Sequence, residues 1–156
     1  MNTNFKHILK AGLIIGTLDI LAAFLYYFLR TGNEPFKILK FIAGGFFGEK
    51  AFTGDIPMYL FGLLFHYLIA LCFSLFFFLF FSRIGFLKNY PLVRGMIYGL
   101  FVWTIMNLVV VPLSKLPPRP FEPVNVIINM IILIICIGIP LSYLAGAGKK
   151  MYPLRS

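Results

Sequence analysis

The sequence predicts an all-α fold, an integral membrane four-helix bundle with a short interfacial helix between its first two spans. Composition is the first reason: of 156 residues, 60% are hydrophobic and only 12% are charged, whereas about 25% are charged in an average soluble domain. Patterning is the second, because the apolar residues collect in four long runs, and about 20 such residues suffice for one span. The whole chain, residues 1–156, is therefore predicted to be a single membrane domain.

The first span is predicted over residues 11–29. It follows Lys6 and Lys10, as the apolar part of a signal peptide would follow basic residues. However, it has no small-residue cleavage pattern, and it contains Asp19 in its middle. These features favour a retained helix over a cleaved leader.

The connection after the first span is the longest in the chain, and residues 34–47 within it have an amphipathic pattern. The apolar residues share one helical face, while Lys37 and Lys40 fall on the other. This pattern is typical of a helix that lies in the headgroup region. A re-entrant hairpin is the alternative, and it would have to take both lysines into the membrane.

The remaining spans are predicted over residues 57–81, 92–113 and 123–147. The last two each contain a proline away from their first turn, which is tolerated in membranes because neighbouring helices satisfy the freed carbonyl group. The link between them contains a proline-rich segment at 117–120. This link is predicted to be stiff and extended.

The net charge of +9 would suggest a nucleic acid partner in a soluble protein. Here the cations flank the apolar runs, where they orient the chain and contact anionic headgroups. The lipid bilayer is therefore the predicted partner, and no nucleic acid is expected. Eight cations lie on the side of the two termini and six on the other side, which predicts that both termini are cytoplasmic.

Ionisable side chains in the middle of a span are costly and are candidates for function. Asp19 in the first span and His66 in the second fit this description, and both lie about 14 to 15 Å below the outer surface at 1.5 Å per residue. Both also lie on small-residue helix faces, so the two side chains are predicted to contact each other. Asn107 and Asn129 complete a predicted polar cluster in the outer half of the bundle.

Two interpretations of this cluster are open. Asp19 and His66 could form a buried pair that only fixes helix register, with the asparagines as interhelical hydrogen-bonding groups. Alternatively, the cluster is a site that takes up a proton or binds a polar headgroup or a small solute.

Small residues recur at helical spacing and predict the faces along which the spans approach each other, within the chain or in a dimer. These positions are Gly12, Gly16, Gly62, Gly95 and Gly99. Two of the glycine pairs lie at the starts of the first and third spans. This suggests a repeat of two helix pairs, although the rest of the sequence does not align well enough to establish one.

Several kinds of site are excluded by the residues present. A haem held by two histidines would need a partner for His66, and His7 lies before the first span. A catalytic zinc ion needs three protein ligands, and no nucleophile elbow or phosphate-binding loop is found. Cys72 and Cys136 lie in apolar runs without a CxxC motif. No cofactor or metal is expected, and an enzyme acting on lipid or quinone is the least favoured function.

Five stretches of the chain form a recognisable set: Gly16–Ala23, Phe41–Phe52, Gly62–Tyr67, Met106–Ser114 and Gly138–Ser142. Together they resemble a family of small bacterial four-helix inner-membrane proteins of uncharacterised function. The resemblance implies the four-helix fold and the bacterial inner membrane, and it brings no activity with it. It also implies a second intramembrane histidine early in the fourth span, where this chain has Asn129.

The sequence therefore leads to two hypotheses about function. The first is a small-solute transporter or channel-like protein, coupled to protons through Asp19 and His66, whose pathway forms in a homodimer. The second is a membrane interaction or assembly protein that holds another membrane protein and whose polar residues only specify packing. A water-filled pocket that reaches the pair would favour the first hypothesis, and a dry contact would favour the second.

Overall fold

A computed structural model describes residues 5–117 and 122–150 of the chain, and every element within these ranges is helical. Four helices are long and apolar enough to cross a membrane: α1 (Phe5–Thr31), α4 (Ile56–Arg83), α5 (Pro91–Leu113) and α6 (Pro123–Gly146). Two shorter helices connect the first pair: α2 (Lys37–Phe47) and α3 (Lys50–Thr53). The predicted all-helical class with four apolar spans is confirmed. Most of the proline-rich segment 117–120 lies outside the described residues.

The bundle has two ends, which we name by the helix termini found there. The proximal end contains the starts of α1 and α5 and the ends of α4 and α6, and the distal end contains α2 and α3. The tightly packed core lies toward the proximal end, where one cluster of buried side chains joins α1, α4, α5 and α6. Its largest fully buried members are Tyr98, Phe77, Ile15, Leu141 and Val102.

Glycines and a serine hold α1 against α4. The Ser74 hydroxyl donates a hydrogen bond to the carbonyl oxygen of Ile8 over 3.1 Å. One helical turn further along α1, a Cβ atom at Gly12 would lie 3.3 Å from the Cα of Leu71. Gly16 faces the same helix one turn later. The backbones of α1 and α4 therefore approach closely, because the face of α1 between them carries glycine at positions 12 and 16.

The contacts between α5 and α6 have the same form. The Ser142 hydroxyl donates to the carbonyl oxygen of Pro91 over 2.6 Å, and Gly95 follows Pro91 by one turn, as Gly12 follows Ile8. A Cβ atom at Gly95 would lie 2.7 Å from the Cα of Ile139. Gly99 packs against the same helix one turn later.

These matching contacts relate the hairpin of α1 and α4 to the hairpin of α5 and α6. If the two serines and the two glycine pairs are equivalent, the position of Asp19 corresponds to Val102, and that of His66 falls at Leu133 or Ile134, because α6 departs from α-helical spacing at Ile134–Gly138. The second hairpin therefore has apolar residues where the first has its two mid-span ionisable groups.

Wide π-helical turns interrupt α5 at Met106–Val110 and α6 at Ile134–Gly138. Each of them ends two residues before a proline, Pro112 in α5 and Pro140 in α6. Proline has no N–H to donate, and its ring collides with the carbonyl group one α-helical turn earlier. The wider turn makes room for that carbonyl group.

Helix α2 packs on the distal part of α4. A Cβ atom at Gly62 would lie only 2.0 Å from the carbonyl oxygen of Leu39, so the two backbones touch there. The backbone N–H of Lys115 donates to the carbonyl oxygen of Gly45 over 3.0 Å, which joins α2 to the end of α5.

The depth of this contact is consistent with an interfacial position of α2. The 28 residues of α4 measure about 42 Å, so each end extends about 6 Å beyond a hydrocarbon core of about 30 Å. Gly62 lies about 9 Å from the start of α4, which is close to that boundary. The position of α2 in the headgroup region stays a prediction.

Candidate functional site

A cavity of about 740 Å³ opens at the distal end, between α1, α2, α4 and α6. We call it the distal cavity. Its walls combine tyrosine, asparagine and charged side chains with the aromatic rings of Phe41 and Phe52. It arises because α2 occupies the distal side of α4, while the tight core is confined to the proximal half.

One wall of the distal cavity is a hydrogen-bonded chain that links α1 to α6. The Tyr26 hydroxyl donates to Oδ1 of Asn125 over 2.6 Å. The Nδ2 group of Asn125 and the Nη2 group of Arg30 both donate to Oε2 of Glu122. The side chains of Arg30 and Glu122 are 46% and 49% exposed, so this wall reaches the outside of the protein. The negative charge of Glu122 is therefore balanced by Arg30, and its carboxylate is hydrogen-bonded within the wall.

The opposite wall is cationic. Lys37 and Lys40 line it from α2, and the Lys40 ammonium lies 4.8 Å from the ring centroid of Tyr59. Within the described ranges, no carboxylate oxygen lies within 4 Å of either lysine, since Arg30 and Glu122 form the one ion pair found there. The cavity lining therefore contains three cations and one carboxylate. Such a concave positive surface concentrates anions.

The deepest residues of the distal cavity lead toward Asp19. Ala23 of α1 and Asn129 of α6 belong to the lining. Asp19 lies one helical turn from Ala23, on the side toward the proximal end. Asn129 is exposed, and its amide has no hydrogen-bond partner among the described residues. The cavity therefore ends about one turn, roughly 6 Å, from the level of Asp19.

Asp19 is partly buried and has neither a hydrogen bond nor an ion pair within the described part of the chain. Trp103 Nε1 is the one fully buried, unpaired side-chain nitrogen or oxygen atom found there. The carboxyl oxygens of Asp19 are consequently not sealed inside the protein. The carboxyl group interacts electrostatically with His66 of α4 and with Cys136 of α6.

His66 is 9% exposed, and its Nε2 atom lies 2.8 Å from the carbonyl oxygen of Gly16. Because a carbonyl oxygen only accepts, Nε2 carries the proton in this bond. Nδ1 has no hydrogen-bond partner among the described residues, so its lone pair is available as an acceptor.

Asp19 and His66 thus lie near enough to interact electrostatically, while no direct hydrogen bond or ion pair joins them in the described part of the chain. The histidine is anchored one turn away, on the backbone of Gly16. This bond fixes the register of α1 against α4. It also leaves the carboxyl group of Asp19 available for a proton.

Within the described residues, no hydrogen bond joins Asn107 or Asn129 to Asp19 or His66. Asn107 is exposed, and its Nδ2 group donates to the carbonyl oxygen of Trp103 in its own helix. The prediction placed Asn107 by its depth alone, and depth does not determine which side of α5 the residue occupies. Asn129 lines the distal cavity, and Cys136 is the residue of α6 that interacts with Asp19.

Sequence reasoning missed two features of the site. Asn125 and Tyr26 were not predicted to pair, because neither residue alone differs from an ordinary interfacial side chain. Arg94 was counted among the eight cations on the side of the two termini, but it is only 3% exposed. A signal for its burial was available, since Arg94 lies within the predicted third span, 92–113, rather than beside it.

Comparison with known proteins adds no functional information. No family model matches the chain, and neither a curated protein nor a solved structure is significantly similar to it. No group of three histidine, cysteine or acidic side chains that could hold a metal ion occurs among the described residues.

Proposed function

We propose that this protein is a proton-coupled transporter or channel-like protein that takes a small anionic solute into the distal cavity. Asp19 and His66 form its proton site. One observation carries the proposal: a cavity with an excess of cations ends one helical turn from an unpaired intramembrane carboxyl group.

The dimensions and chemistry of the cavity suit an organic anion. Its volume of about 740 Å³ lies within the range of small-molecule sites, roughly 300–1,000 Å³. Lys37 and Lys40 supply positive charge that no carboxylate of the described chain neutralises. The rings of Phe41 and Tyr27 supply apolar surface. A small anion with an apolar part matches both features.

Proton binding below the cavity would strengthen anion binding within it. When Asp19 or Nδ1 of His66 takes up a proton, the pair becomes more positive by one unit, and a bound anion above it is attracted. By thermodynamic linkage, a bound anion favours proton uptake by the same free energy. The two sites therefore supply the coupling that a proton-driven transporter requires.

The alternative function, membrane interaction or assembly, receives less support from the packing. It relies on small-residue faces that are available to a partner. Gly12 and Gly16 instead contact α4, Gly62 contacts α2, and Gly95 and Gly99 contact α6. The faces that suggested a protein partner are filled by the chain itself, and a homodimer would have to use other surfaces.

We infer that the protein is a multi-pass protein of the bacterial inner membrane with both termini in the cytoplasm. Single cysteines introduced at Lys88 and Lys115, in a background lacking Cys72 and Cys136, should react from opposite sides of intact cells. The cysteine at position 115 should be the one labelled by an impermeant maleimide. Labelling of both positions from outside would contradict the four-span topology.

Proton flux into proteoliposomes tests the proposed function. Vesicles filled with the pH dye pyranine receive benzenesulfonate or benzyltrimethylammonium from outside, two permanently charged probes of similar size. We expect an internal pH change with the anion and none with the cation. Equal responses to the two probes, or no response to either, would contradict the proposal.

The cationic wall provides the matched variants for this assay. The double substitution Lys37→Gln with Lys40→Gln should lower the benzenesulfonate response about tenfold or more, because a hydrogen bond to a charged group contributes about 1.5–3 kcal/mol. Lys50→Gln is the control, since Lys50 is exposed on α3 and does not line the cavity. An unchanged response in the double variant would remove the distal cavity from the pathway.

A further inference from the structure

A second charged group without a counterion lies at the proximal end, away from the distal cavity. Arg94 is the fourth residue of α5, about 5 Å from the start of the helix. Its side chain is only 3% exposed, and within the described residues no carboxylate lies within 4 Å of it. The aspartates and glutamates of the chain all lie elsewhere: Asp19, Glu34, Glu49, Asp55 and Glu122. Such an uncompensated charge is costly near hydrocarbon.

The guanidinium group of Arg94 is held in one orientation. Its Nε group donates to the hydroxyl oxygen of Ser142 over 2.9 Å, and its Nη2 group donates to the Ser142 carbonyl oxygen over 2.7 Å. The Ser142 hydroxyl in turn donates to the carbonyl oxygen of Pro91. The Phe77 ring covers one side, with its centroid 5.6 Å from Cζ.

Within the described residues, this arrangement leaves Nη1 of Arg94 without a hydrogen-bond partner. Nη1 is nearly but not completely buried, because Trp103 Nε1 is the one fully buried, unpaired side-chain nitrogen or oxygen atom found there. A small part of Nη1 is therefore accessible from outside, and neither of its N–H groups is used by the described residues. Nη1 lies near the level at which phospholipid headgroups meet the hydrocarbon core.

We propose that Arg94 binds the phosphate group of a phospholipid at the proximal face of the membrane. A phosphate is the group that guanidinium donors match best, and basic sites between membrane helices are known to hold lipid headgroups. Because Ser142 already fixes the guanidinium group, little side-chain entropy is lost on binding. A phospholipid is favoured over free phosphate as the source of the phosphate group, because Nη1 lies near the depth at which lipid phosphates are concentrated.

Native mass spectrometry of the purified protein in mild detergent tests this site. We expect the wild type to retain added phosphatidylglycerol and not diacylglycerol with the same acyl chains, and to keep the lipid in excess inorganic phosphate. Displacement of the lipid by inorganic phosphate would show that the site takes free phosphate rather than a phospholipid. Equal retention of the uncharged diacylglycerol would overturn the phosphate contact.

Variants then locate the bound phosphate. Arg94→Gln should lower the lipid-bound fraction about tenfold, whereas Lys10→Gln, which removes an exposed cation from the same face, should leave it unchanged. Arg94→Lys keeps the charge for folding and can still donate to a phosphate, but it lacks the planar fork that bonds Ser142 through two nitrogens, so retention should lie between those of the wild type and Arg94→Gln. Wild-type retention in a folded Arg94→Gln protein would overturn the proposal.

Discussion

Gly138→Ala is expected to destabilise the protein by about 3 kcal/mol, at the upper end of the usual range for an overfilled core. The added Cβ atom would lie 2.1 Å from the carbonyl oxygen of Gly95 and 2.7 Å from the backbone nitrogen of Gly99. Both are main-chain atoms, so no side chain can rotate to make room. The helices α5 and α6 would have to separate, and close packing is the main attraction between helices in a membrane.

Gly146→Ala is the matched control, because it makes the same substitution in the same helix. Among the described residues, no atom outside the neighbouring backbone of α6 lies within 4 Å of a Cβ atom at Gly146, and alanine stabilises an open helical position by roughly 0.4–1 kcal/mol relative to glycine. The free energy of unfolding would be measured by sodium dodecyl sulfate titration in mixed micelles, followed by circular dichroism. Equal stability of the two variants would show that α5 and α6 are not in backbone contact.

The glycines of this interface illustrate how far the sequence predicts packing. Gly95 and Gly99 were predicted as a close-contact face from their spacing alone, because a gap in side-chain volume repeats on one side of a helix. That spacing does not say which helix fills the gap. Gly138 was not predicted as their partner, since it lies within the π-helical turn of α6, where α-helical spacing no longer reports which residues share a face.

The predicted polar cluster differs from the observed site for a similar reason. Hydropathy predicts the four spans because each stretch must satisfy its own backbone in lipid. The depths of Asp19 and His66 also follow from counting residues. The side of α5 on which Asn107 lies could not be predicted, because counting residues gives only its depth. The distal cavity depends on where α2 lies against α4, which the amphipathic pattern of α2 does not specify.

The sequence likewise showed only part of the similarity between the hairpin of α1 and α4 and the hairpin of α5 and α6. The glycine pairs gave the same signal at the starts of α1 and α5, but the connection in the first hairpin contains α2 and α3, and the second has a short link. A sequence alignment of the halves therefore requires a long gap. The equivalent hydrogen bonds of Ser74 and Ser142 supply the missing correspondence.

Asp19→Asn is expected to abolish the proton response to benzenesulfonate in proteoliposomes. The amide keeps nearly the same shape and cannot bind or release a proton at neutral pH. Helix packing should therefore survive while coupling is lost. Asp55→Asn is the control, because Asp55 is an exposed carboxylate at the start of α4 and does not line the cavity. A wild-type response in Asp19→Asn would leave Asp19 with a packing role only.

A double-mutant cycle tests whether Asp19 and His66 act as one unit in stability as well. Removing Asp19 alone leaves His66 bound to Gly16 without its electrostatic partner, and removing His66 alone leaves an unpaired carboxyl group within the membrane. Each alanine substitution should therefore lower the free energy of unfolding by more when the partner residue is present than when the partner has already been replaced. We expect the sum of the single effects to exceed that of the double variant by about 0.5–3 kcal/mol, the usual range for interacting residues. Strict additivity would show that the two groups act independently, and it would remove the argument that a proton on one of them is felt by the other.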